Sequence, residues 1–364
     1  MSAGGNVPKI SVLVPIYNVE NYLRECLDSL VNQTLEDIEI ICINDGSTDN
    51  SLQILEEYSL NDSRIKIINK ANSGYGNSMN IAMDKASGEY IGIVEPDDFV
   101  KRTMFFDLYN IAVKNNADIV KSEYYAYITA NKQARKTGRF ARFRTGRVIN
   151  VFDTPALVRM QPSIWTAIYK RDFLQKNNIR FLETPGASFQ DTSFAFKSLA
   201  MAQRIVLTSN AYYYYRQDNA FSSVKSKGKA FLICGEFDEI TDFLNKNPEI
   251  KQAVNVQKLI KQYSAYMWNL LRVDEDYIDA FIDVFSETFK IYYENNETDK
   301  EFFRKINRKE FLALIYDKNS FKNIITEKIE RSKQREKRRQ LFSVRINASR
   351  ISIVFMGKQI ICIG

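Results

Sequence analysis

The sequence predicts an α/β protein, in which a mostly parallel β-sheet flanked by helices is followed by a helical C-terminal region. Across roughly the first 100 residues, strands that are apolar throughout alternate with amphipathic helices, a pattern typical of a parallel sheet covered on both faces. From about residue 227 onward, apolar residues recur almost only at helical spacing. A chain of 364 residues with 45% hydrophobic residues is long enough for two domains.

The first elements follow one another in regular order. Apolar runs predict four strands, at residues 10–14, 38–43, 65–68 and 90–94. Apolar side chains at helical spacing predict three helices between them, at residues 21–31, 51–58 and 77–85. Ser47, Thr48 and Asp49 provide N-capping groups before the second helix. This order predicts parallel strands whose carboxyl ends meet at one edge of the sheet.

After residue 100 the pattern becomes mixed. It predicts helices at 103–115 and 190–200, strands at 118–127 and 211–216, and a basic extended stretch with hairpin character at 135–148. We place a domain boundary near residue 225. The predicted organisation is an α/β domain over 1–225 with halves 8–100 and 101–225, a helical region over 226–330 and a tail over 331–364. The helical region could pair two chains or cap the α/β domain.

The tail is basic first and apolar afterwards. Residues 331–350 hold eight Lys/Arg and one Glu, which equals the net charge of +7 of the whole chain. A basic tail on a nearly neutral body indicates a local anionic partner rather than a nucleic-acid-binding domain. The apolar residues 351–363 beside it fit attachment to an anionic membrane surface, and the alternative is a final strand that packs on the protein.

Composition also limits the location and the chemistry. Without an apolar signal segment or a run of roughly 20 apolar residues, we expect a cytoplasmic protein that the tail could attach to the inner face of the cell membrane. The chain contains no histidine, which excludes Ser-His-Asp and Cys-His nucleophilic machinery and histidine-ligated zinc. Proton transfer must therefore use a carboxylate, lysine, tyrosine or cysteine. The four cysteines lack metal-ligand spacing and indicate reduced core residues.

Acidic residues follow three of the four predicted strands. Glu20 lies just beyond the first strand, Asp45 ends the second, and Glu95, Asp97 and Asp98 follow the fourth. In open parallel sheets, ligands bind beyond the carboxyl ends of the strands. Clustered carboxylates repel one another, and Mg²⁺ or Mn²⁺ relieves this repulsion while binding phosphate oxygens. We therefore expect Asp97 and Asp98 to contact a metal ion and a ribose, with Glu95 assisting. An ordinary solvated turn is the alternative.

Two segments carry a family resemblance. The runs ISVLVPIYNVENYLRECLDSLVNQTLEDIEIICINDGSTDNS and NSGYGNSMNIAMDKASGEYIGIVEPDDF resemble the nucleotide-binding half of family 2 inverting glycosyltransferases with the GT-A fold. The likeness is close over 8–100 and looser to about 225. It implies that Pro15, Tyr17 and Glu20 line the pocket for the base and that Asp45 contacts the base or the ribose. It also implies that Asn80, on the helix after the glycine-rich 72–76 loop, helps to order the nucleotide site. Residues 95–98 match the D-x-D element, with Glu95 in place of the first aspartate.

The second half supplies the remaining matches. Residues 184–191 resemble the G-x-x-x-E-D motif of the family, with Gln190 in place of glutamate, and the resemblance implies that Asp191 is the catalytic base. The alternative is that Asp191 only caps the helix that starts there. Tyr212 to Arg216 resemble the Y-x-R segment, which implies that Arg216 neutralises charge on the donor diphosphate.

The resemblance implies an activity as well. It implies metal-assisted, inverting transfer of a sugar from a nucleotide-diphosphate sugar, with UDP as the expected nucleotide, to a hydroxyl of a saccharide acceptor. A lipid-linked acceptor in bacterial surface-polysaccharide synthesis fits this expectation. Two alternatives are a non-catalytic nucleotide-sugar-binding scaffold and a sugar-nucleotide pyrophosphorylase. The latter should carry a glycine- and lysine-rich phosphate loop after the first strand, where this chain has Pro-Ile-Tyr-Asn.

Overall fold

The structure is a computed structural model that describes residues 7–219, 230–347, 350–355 and 358–363, with side chains described to residue 335 and at 337. The boundary predicted near residue 225 lies outside the described residues. The chain divides into two compact units, Met1–Lys261 and Gln262–Gly364.

The first unit contains a ten-stranded sheet whose first four strands are parallel and follow the order β3-β2-β1-β4. These strands are β1 (Ile10–Ile16), β2 (Ile38–Asp45), β3 (Ile65–Lys70) and β4 (Tyr90–Ile93). The helices between them are α1 (Glu20–Val31), α2 (Ser51–Asn61) and α3 (Tyr75–Lys85). All residues of β1 and β2 are buried, because helices cover the sheet on both faces. The predicted parallel sheet is confirmed.

The rest of the sheet is mixed. It is built from β5 (Phe99–Val100), β6 (Ile119–Ile128), β7 (Gln133–Lys136), β8 (Val148–Ile149), β9 (Ala167–Lys170) and β10 (Ile205–Arg216), with helices α4 (Met104–Asn115), α5 (Arg171–Lys176) and α6 (Gln190–Met201). Strand β9 lies antiparallel between β4 and β6, while β6 and β10 are parallel. The basic stretch does not form a hairpin of its own, because β7 pairs with β6 and β8 pairs with β10.

The C-terminal part is helical, as predicted. Its helices are α7 (Leu232–Lys246), α8 (Pro248–Leu270), α9 (Ile278–Glu294), α10 (Lys300–Phe303), α11 (Arg308–Tyr316) and α12 (Lys318–Leu341). In the second unit, Phe281, Phe285 and Phe289 form one fully buried face of α9. No helix in the described part of the chain is both long and apolar enough to cross a bilayer.

Where the structure describes it, the tail over residues 331–364 is helical only at its start. Helix α12 ends at Leu341, and the strands β11 (Phe342–Asn347), β12 (Arg350–Phe355) and β13 (Lys358–Ile363) form an antiparallel sheet. In β11, Phe342, Val344 and Ile346 alternate with Ser343, Arg345 and Asn347, and this period of two favours a strand over a helix. The attachment of the tail to a membrane stays a prediction.

Candidate active site

The loops that follow β1 and β2 are hydrogen-bonded to each other. The backbone N–H of Asn18 donates to Ser47 Oγ (3.1 Å), and the N–H of Thr48 donates to Asn18 Oδ1 (2.8 Å). Asn18 has a φ of 51°, a left-handed conformation that asparagine tolerates better than most residues. Pro15 is buried within β1, whereas Tyr17 is 51% exposed. The exposed ring of Tyr17 is therefore available to a flat ligand such as a base.

Glu20 joins the starts of α1 and α2. Its carboxylate accepts hydrogen bonds from the backbone N–H and the side-chain amide of Asn50 (3.0 and 2.6 Å), and its own N–H donates to Asp49 Oδ2 (3.0 Å). Glu20, Arg24 and Asn50 line an open polar groove. The Glu20 carboxylate thus holds the start of α1 against the start of α2. Its contact with a base stays a prediction.

Asp45 organises the glycine-rich 72–76 loop. Its buried carboxylate accepts hydrogen bonds from the N–H groups of Ser73 (2.9 Å) and Gly74 (3.0 Å) and pairs with Lys70. Gly74 has a φ of 91°, and a Cβ there would lie 2.8 Å from the carbonyl oxygen of Thr184. Only glycine fits at this position. The 72–76 loop is therefore held against the loop that leads to Asp191.

Further hydrogen bonds connect these two loops. The N–H of Tyr75 donates to the carbonyl oxygen of Gly186 (3.0 Å). The side chain of Asn80 donates to the Phe181 carbonyl (3.0 Å) and to Glu183 (2.8 Å), and it accepts from the Phe181 N–H (3.0 Å). Asn80 therefore positions residues 181–186 against α3. Its role in ordering the nucleotide site stays a prediction.

Glu95 and Asp97 lie at the carboxyl end of β4. The Tyr75 hydroxyl donates to Glu95 Oε1 (2.8 Å), and the N–H of Glu95 donates to the Tyr213 hydroxyl (3.0 Å). Burial raises the pKa of Glu95 to about 8, and the negative charges of Asp97 and Asp191 act in the same direction. Asp97 is partly exposed, and its Oδ2 accepts from the Asn219 amide (2.8 Å).

Asp98 is buried, and both of its oxygens are used inside the protein. The Tyr213 hydroxyl donates to one oxygen (2.9 Å) and the Arg216 N–H to the other (2.7 Å). Arg216 is also buried. Its guanidinium donates to the Asp97 carbonyl (2.7 Å) and pairs with Glu25 (2.5 Å). This geometry favours a positioning role for Asp98 and Arg216. Their direct contact with a metal ion or a diphosphate stays a prediction.

Asp191 is the second residue of α6, where the helix dipole favours an anion. Gln190 beside it holds the preceding loop, because its amide donates to Thr184 Oγ1 (2.8 Å) and its Oε1 accepts from the Ser188 N–H (2.5 Å). Burial raises the pKa of Asp191 to about 6, against the lowering effects of Lys261, Thr192 and Lys121. A carboxylate with this pKa is ionised at neutral pH and yet basic enough to accept a proton.

Two lysines that lower the pKa of Asp191, Lys121 and Lys261, were not among the site residues that the sequence predicts. Lys121 Nζ donates to Thr166 Oγ1 (2.7 Å) and to the Ser163 carbonyl, and Lys261 Nζ donates to the Met160 carbonyl (2.8 Å). Burial lowers the pKa of Lys121 to about 7 and that of Lys261 to about 8. A lysine within the apolar start of β6 was a signal for Lys121, whereas no sequence pattern indicates Lys261.

The part of the chain that carries the candidate site matches a known protein family. The model of the family described as "Glycosyl transferase family 2" matches residues 11–194, about half of the chain and the part that carries the strand-end loops and Asp191. The chain belongs to glycosyl transferase family 2.

The comparison with an individual glycosyltransferase agrees with this assignment. The chain is 33% identical over 228 residues to the uncharacterized glycosyltransferase EpsJ of Bacillus subtilis, and the match covers 61% of this chain and 65% of EpsJ, slightly under two thirds of that relative.

Two solved structures share the fold. The TarS 1–349 structure from S. aureus in complex with UDP-GlcNAc has a TM-score of 0.66 at 22% identity and covers 95% of this chain and 97% of its own. The mannosyltransferase PcManGT from Pyrobaculum calidifontis, in complex with GDP-Man and Mn²⁺, has a TM-score of 0.50 at 15% identity and covers 86% of this chain and 88% of its own. These likenesses confirm the GT-A-like fold class.

Of the carboxylates at the end of β4, Asp97 is the one whose surroundings fit a divalent ion that shares its coordination with a phosphate. Within the described residues, no group of three or more Asp, Glu or Cys side chains is arranged so that it could hold a metal ion. Mg²⁺ commonly binds one or two carboxylates together with substrate phosphates. Asp97 suits this arrangement, because Oδ2 accepts from Asn219 and its other oxygen accepts no hydrogen bond from the described part of the chain. The bonds of Asp98 make that residue a poorer ligand.

Proposed function

We propose that this family 2 protein transfers a sugar from a UDP-linked donor to a hydroxyl group of a saccharide acceptor, with inversion at the anomeric carbon. The observation that carries the proposal is a continuous set of contacts along one sheet edge. It runs from Asp45 through Gly74 and Gly186 to the loop that Gln190 holds before Asp191. Family membership favours the transferase over the pyrophosphorylase alternative.

The donor half of the proposed site lies at the ends of β1, β2 and β4. Tyr17 offers an exposed ring for the uracil base, and Asp45 fixes the loop beside the nucleotide. Asp97 would hold Mg²⁺ or Mn²⁺, with Glu95 next to it. When bound, such an ion neutralises the negative charge that gathers on the departing diphosphate. The UDP-GlcNAc bound to TarS supports a UDP donor, and the Mn²⁺ bound to PcManGT supports a metal ion.

Asp191 would act as the base. As the acceptor oxygen bonds to the anomeric carbon, the bond from that carbon to the diphosphate oxygen breaks and the hydroxyl proton passes to the Asp191 carboxylate. Lys261 and Lys121 would keep this carboxylate ionised before the reaction, since their positive charges lower its pKa. Attack from the face opposite the leaving group inverts the anomeric configuration.

A donor screen tests the proposal. The purified protein is heated with Mn²⁺ and one nucleotide sugar at a time, because a ligand that binds only the folded state raises the melting temperature. We expect UDP-sugars to raise it, GDP-sugars to raise it less, and Asp97→Asn to reduce the effect of the metal. Lys246→Gln, a change at an exposed lysine of α7, is the matched control and should behave like the wild type. The absence of any shift with every nucleotide sugar would contradict the proposal.

A surface-polysaccharide pathway and a saccharide acceptor are part of the same proposal. They rest on the resemblance of the strand-end motifs to family 2 glycosyltransferases, to which the chain belongs. Product analysis with the donor found in the screen, and with extracted surface glycans as acceptors, would test this part separately.

A further inference from the structure

The stretch that begins just before β7 and ends at β8 carries a concentrated positive charge that the proposed mechanism does not use. We call residues 132–147 the basic loop. It contains seven Lys/Arg and no Asp or Glu: Lys132, Arg135, Lys136, Arg139, Arg142, Arg144 and Arg147. All seven are exposed, and none forms an ion pair with any residue that the structure describes.

The basic loop has a defined conformation, because its backbone is anchored to β6. Both carboxylate oxygens of Glu123 are engaged, one by the Thr137 hydroxyl (2.7 Å) and the other by the Phe140 N–H (2.5 Å). Phe140 is buried, and Arg139 Nε donates to the Tyr124 hydroxyl (3.2 Å). The remaining cations point away from these anchors into solvent, so a partner can reach them.

One end of the basic loop connects to the proposed donor site. The turn before it, Thr129–Asn131, is held by Asp218, which accepts from the Thr129 N–H (3.0 Å) and hydroxyl (2.9 Å). Arg216 donates to the same hydroxyl, and it also donates to the Asp97 carbonyl (2.7 Å). The turn that precedes the basic loop is therefore linked to Asp97 through Arg216.

The two ends of the basic loop lie far apart along the direction of β6. Gln133 lies opposite Ile128, whereas Val148 pairs with Val206, which lies opposite Val120. Eight residues of strand separate Val120 from Ile128, and at about 3.3 Å per residue this equals about 25 Å. A single diphosphate can contact only a few of the cations on a surface of this length.

We propose that the basic loop binds the acceptor, and that the saccharide acceptor belongs to a polymer with repeated phosphate groups. This inference rests on the proposed transfer function. Repeated anionic groups match a row of uncompensated cations that starts just after a turn linked to Asp97. Such a surface both steers and orients a charged polymer. A membrane fits less well, because surface-bound segments insert exposed apolar side chains, and the bulky apolar side chains here, Phe140 and Phe143, are buried and half-buried.

Two matched variants of the full-length protein test the inference. The loop variant replaces Arg135, Lys136, Arg142 and Arg144 by glutamine and leaves Arg139, which contacts Tyr124. The control variant makes four glutamine substitutions at exposed cations outside the basic loop, at Arg102, Lys114, Lys176 and Lys246. Both variants lose the same net charge, so a difference between them depends on position.

Binding is measured with a glycerol-phosphate oligomer, a neutral dextran oligomer, and vesicles of phosphatidylglycerol and phosphatidylcholine. We expect the loop variant to bind the glycerol-phosphate oligomer at least about tenfold more weakly than the wild type, with a smaller dependence on salt, because four attractive charges are lost. The control variant should stay within about twofold. The dextran oligomer should bind all three proteins equally weakly.

Three results would overturn the inference: oligomer binding that the loop variant leaves unchanged, an equal loss in both variants, or a loss of vesicle binding alone. Failure of the transfer function is recognised separately. If no nucleotide sugar raises the melting temperature of the wild type while the loop variant still loses the oligomer, the proposed function fails and the phosphate-binding surface stands.

Discussion

Gly76, at the start of α3, allows this helix to lie directly against residues 182–183. A Cβ at position 76 would lie 2.9 Å from the carbonyl carbon of Leu182, closer still to its oxygen, and 3.3 Å from the Cα of Glu183. These are backbone atoms, which cannot move aside as the end of a flexible side chain could. Gly76→Ala must therefore push α3 away from the segment that leads to Asp191.

The size of this effect follows from two opposing contributions. Alanine in place of a helical glycine stabilises a helix by up to about 1 kcal/mol, whereas overpacking typically costs about 1–3 kcal/mol and more against rigid atoms. We expect Gly76→Ala to lower the free energy of unfolding by about 2–3 kcal/mol. Gly235→Ala in α7 is the matched control, because no atom lies within 4 Å of its added Cβ, and it should be neutral or stabilising.

Thermal unfolding and sugar transfer are measured on the same preparations. A loss of about 2–3 kcal/mol lowers the melting temperature by roughly 5–10 °C in a domain of this size. The transfer rate of Gly76→Ala should fall even below the melting transition, because residues 184–188 and Asp191 shift with the displaced segment. A Gly76→Ala protein as stable and as active as Gly235→Ala would refute the close packing of α3 against residues 182–183.

Two further predictions concern ionisation. The rate of transfer should rise with pH through about 6 as Asp191 loses its proton, and Lys261→Met should move this rise to higher pH because a cation that lowers the pKa of Asp191 is gone; an unmoved pH profile would contradict the role of Lys261. Burial alone would raise the pKa of Glu39, but hydrogen bonds from Lys66, Ser11 and Ser87 outweigh it and lower this pKa to about 2. Its contribution to stability, about 3 kcal/mol at neutral pH, is therefore present above about pH 4.5 and is lost as the pH falls through about 2. In urea unfolding, Glu39→Gln should cost about 3 kcal/mol near pH 7 and only about 1 kcal/mol near pH 3, and a pH-independent cost would contradict this account.

The parallel half of the fold could be predicted because its signals are local. The apolar run at residues 38–43 is buried on both faces of the sheet. The helices between successive strands impose a parallel order. The carboxyl ends of β1, β2 and β4 then meet at one edge by topology alone. For that reason, the residues of these loops could be named before any contact was known.

The environments of individual site residues depend on pairings between distant segments. Whether Asp98 is free to bind an ion depends on the antiparallel pairing of β5 with β10, which brings Tyr213 and Arg216 to its carboxylate. Lys121 and Lys261 both lower the pKa of the Asp191 carboxylate, although 140 residues separate the two lysines in sequence. Charge and hydropathy patterns along the sequence do not indicate contacts between residues so far apart in the chain. The sequence therefore predicts which residues reach the edge but not what each of them contacts there.

The role of Asp191 as the base is the central claim, and the isosteric change Asp191→Asn tests it most directly. The change keeps the size of the side chain at the start of α6 and removes its ability to accept a proton at neutral pH. We predict a fall in turnover of at least about 100-fold, with the nucleotide-sugar dissociation constant, measured by calorimetry, within a few fold of the wild type. Turnover that survives in Asp191→Asn would contradict the account.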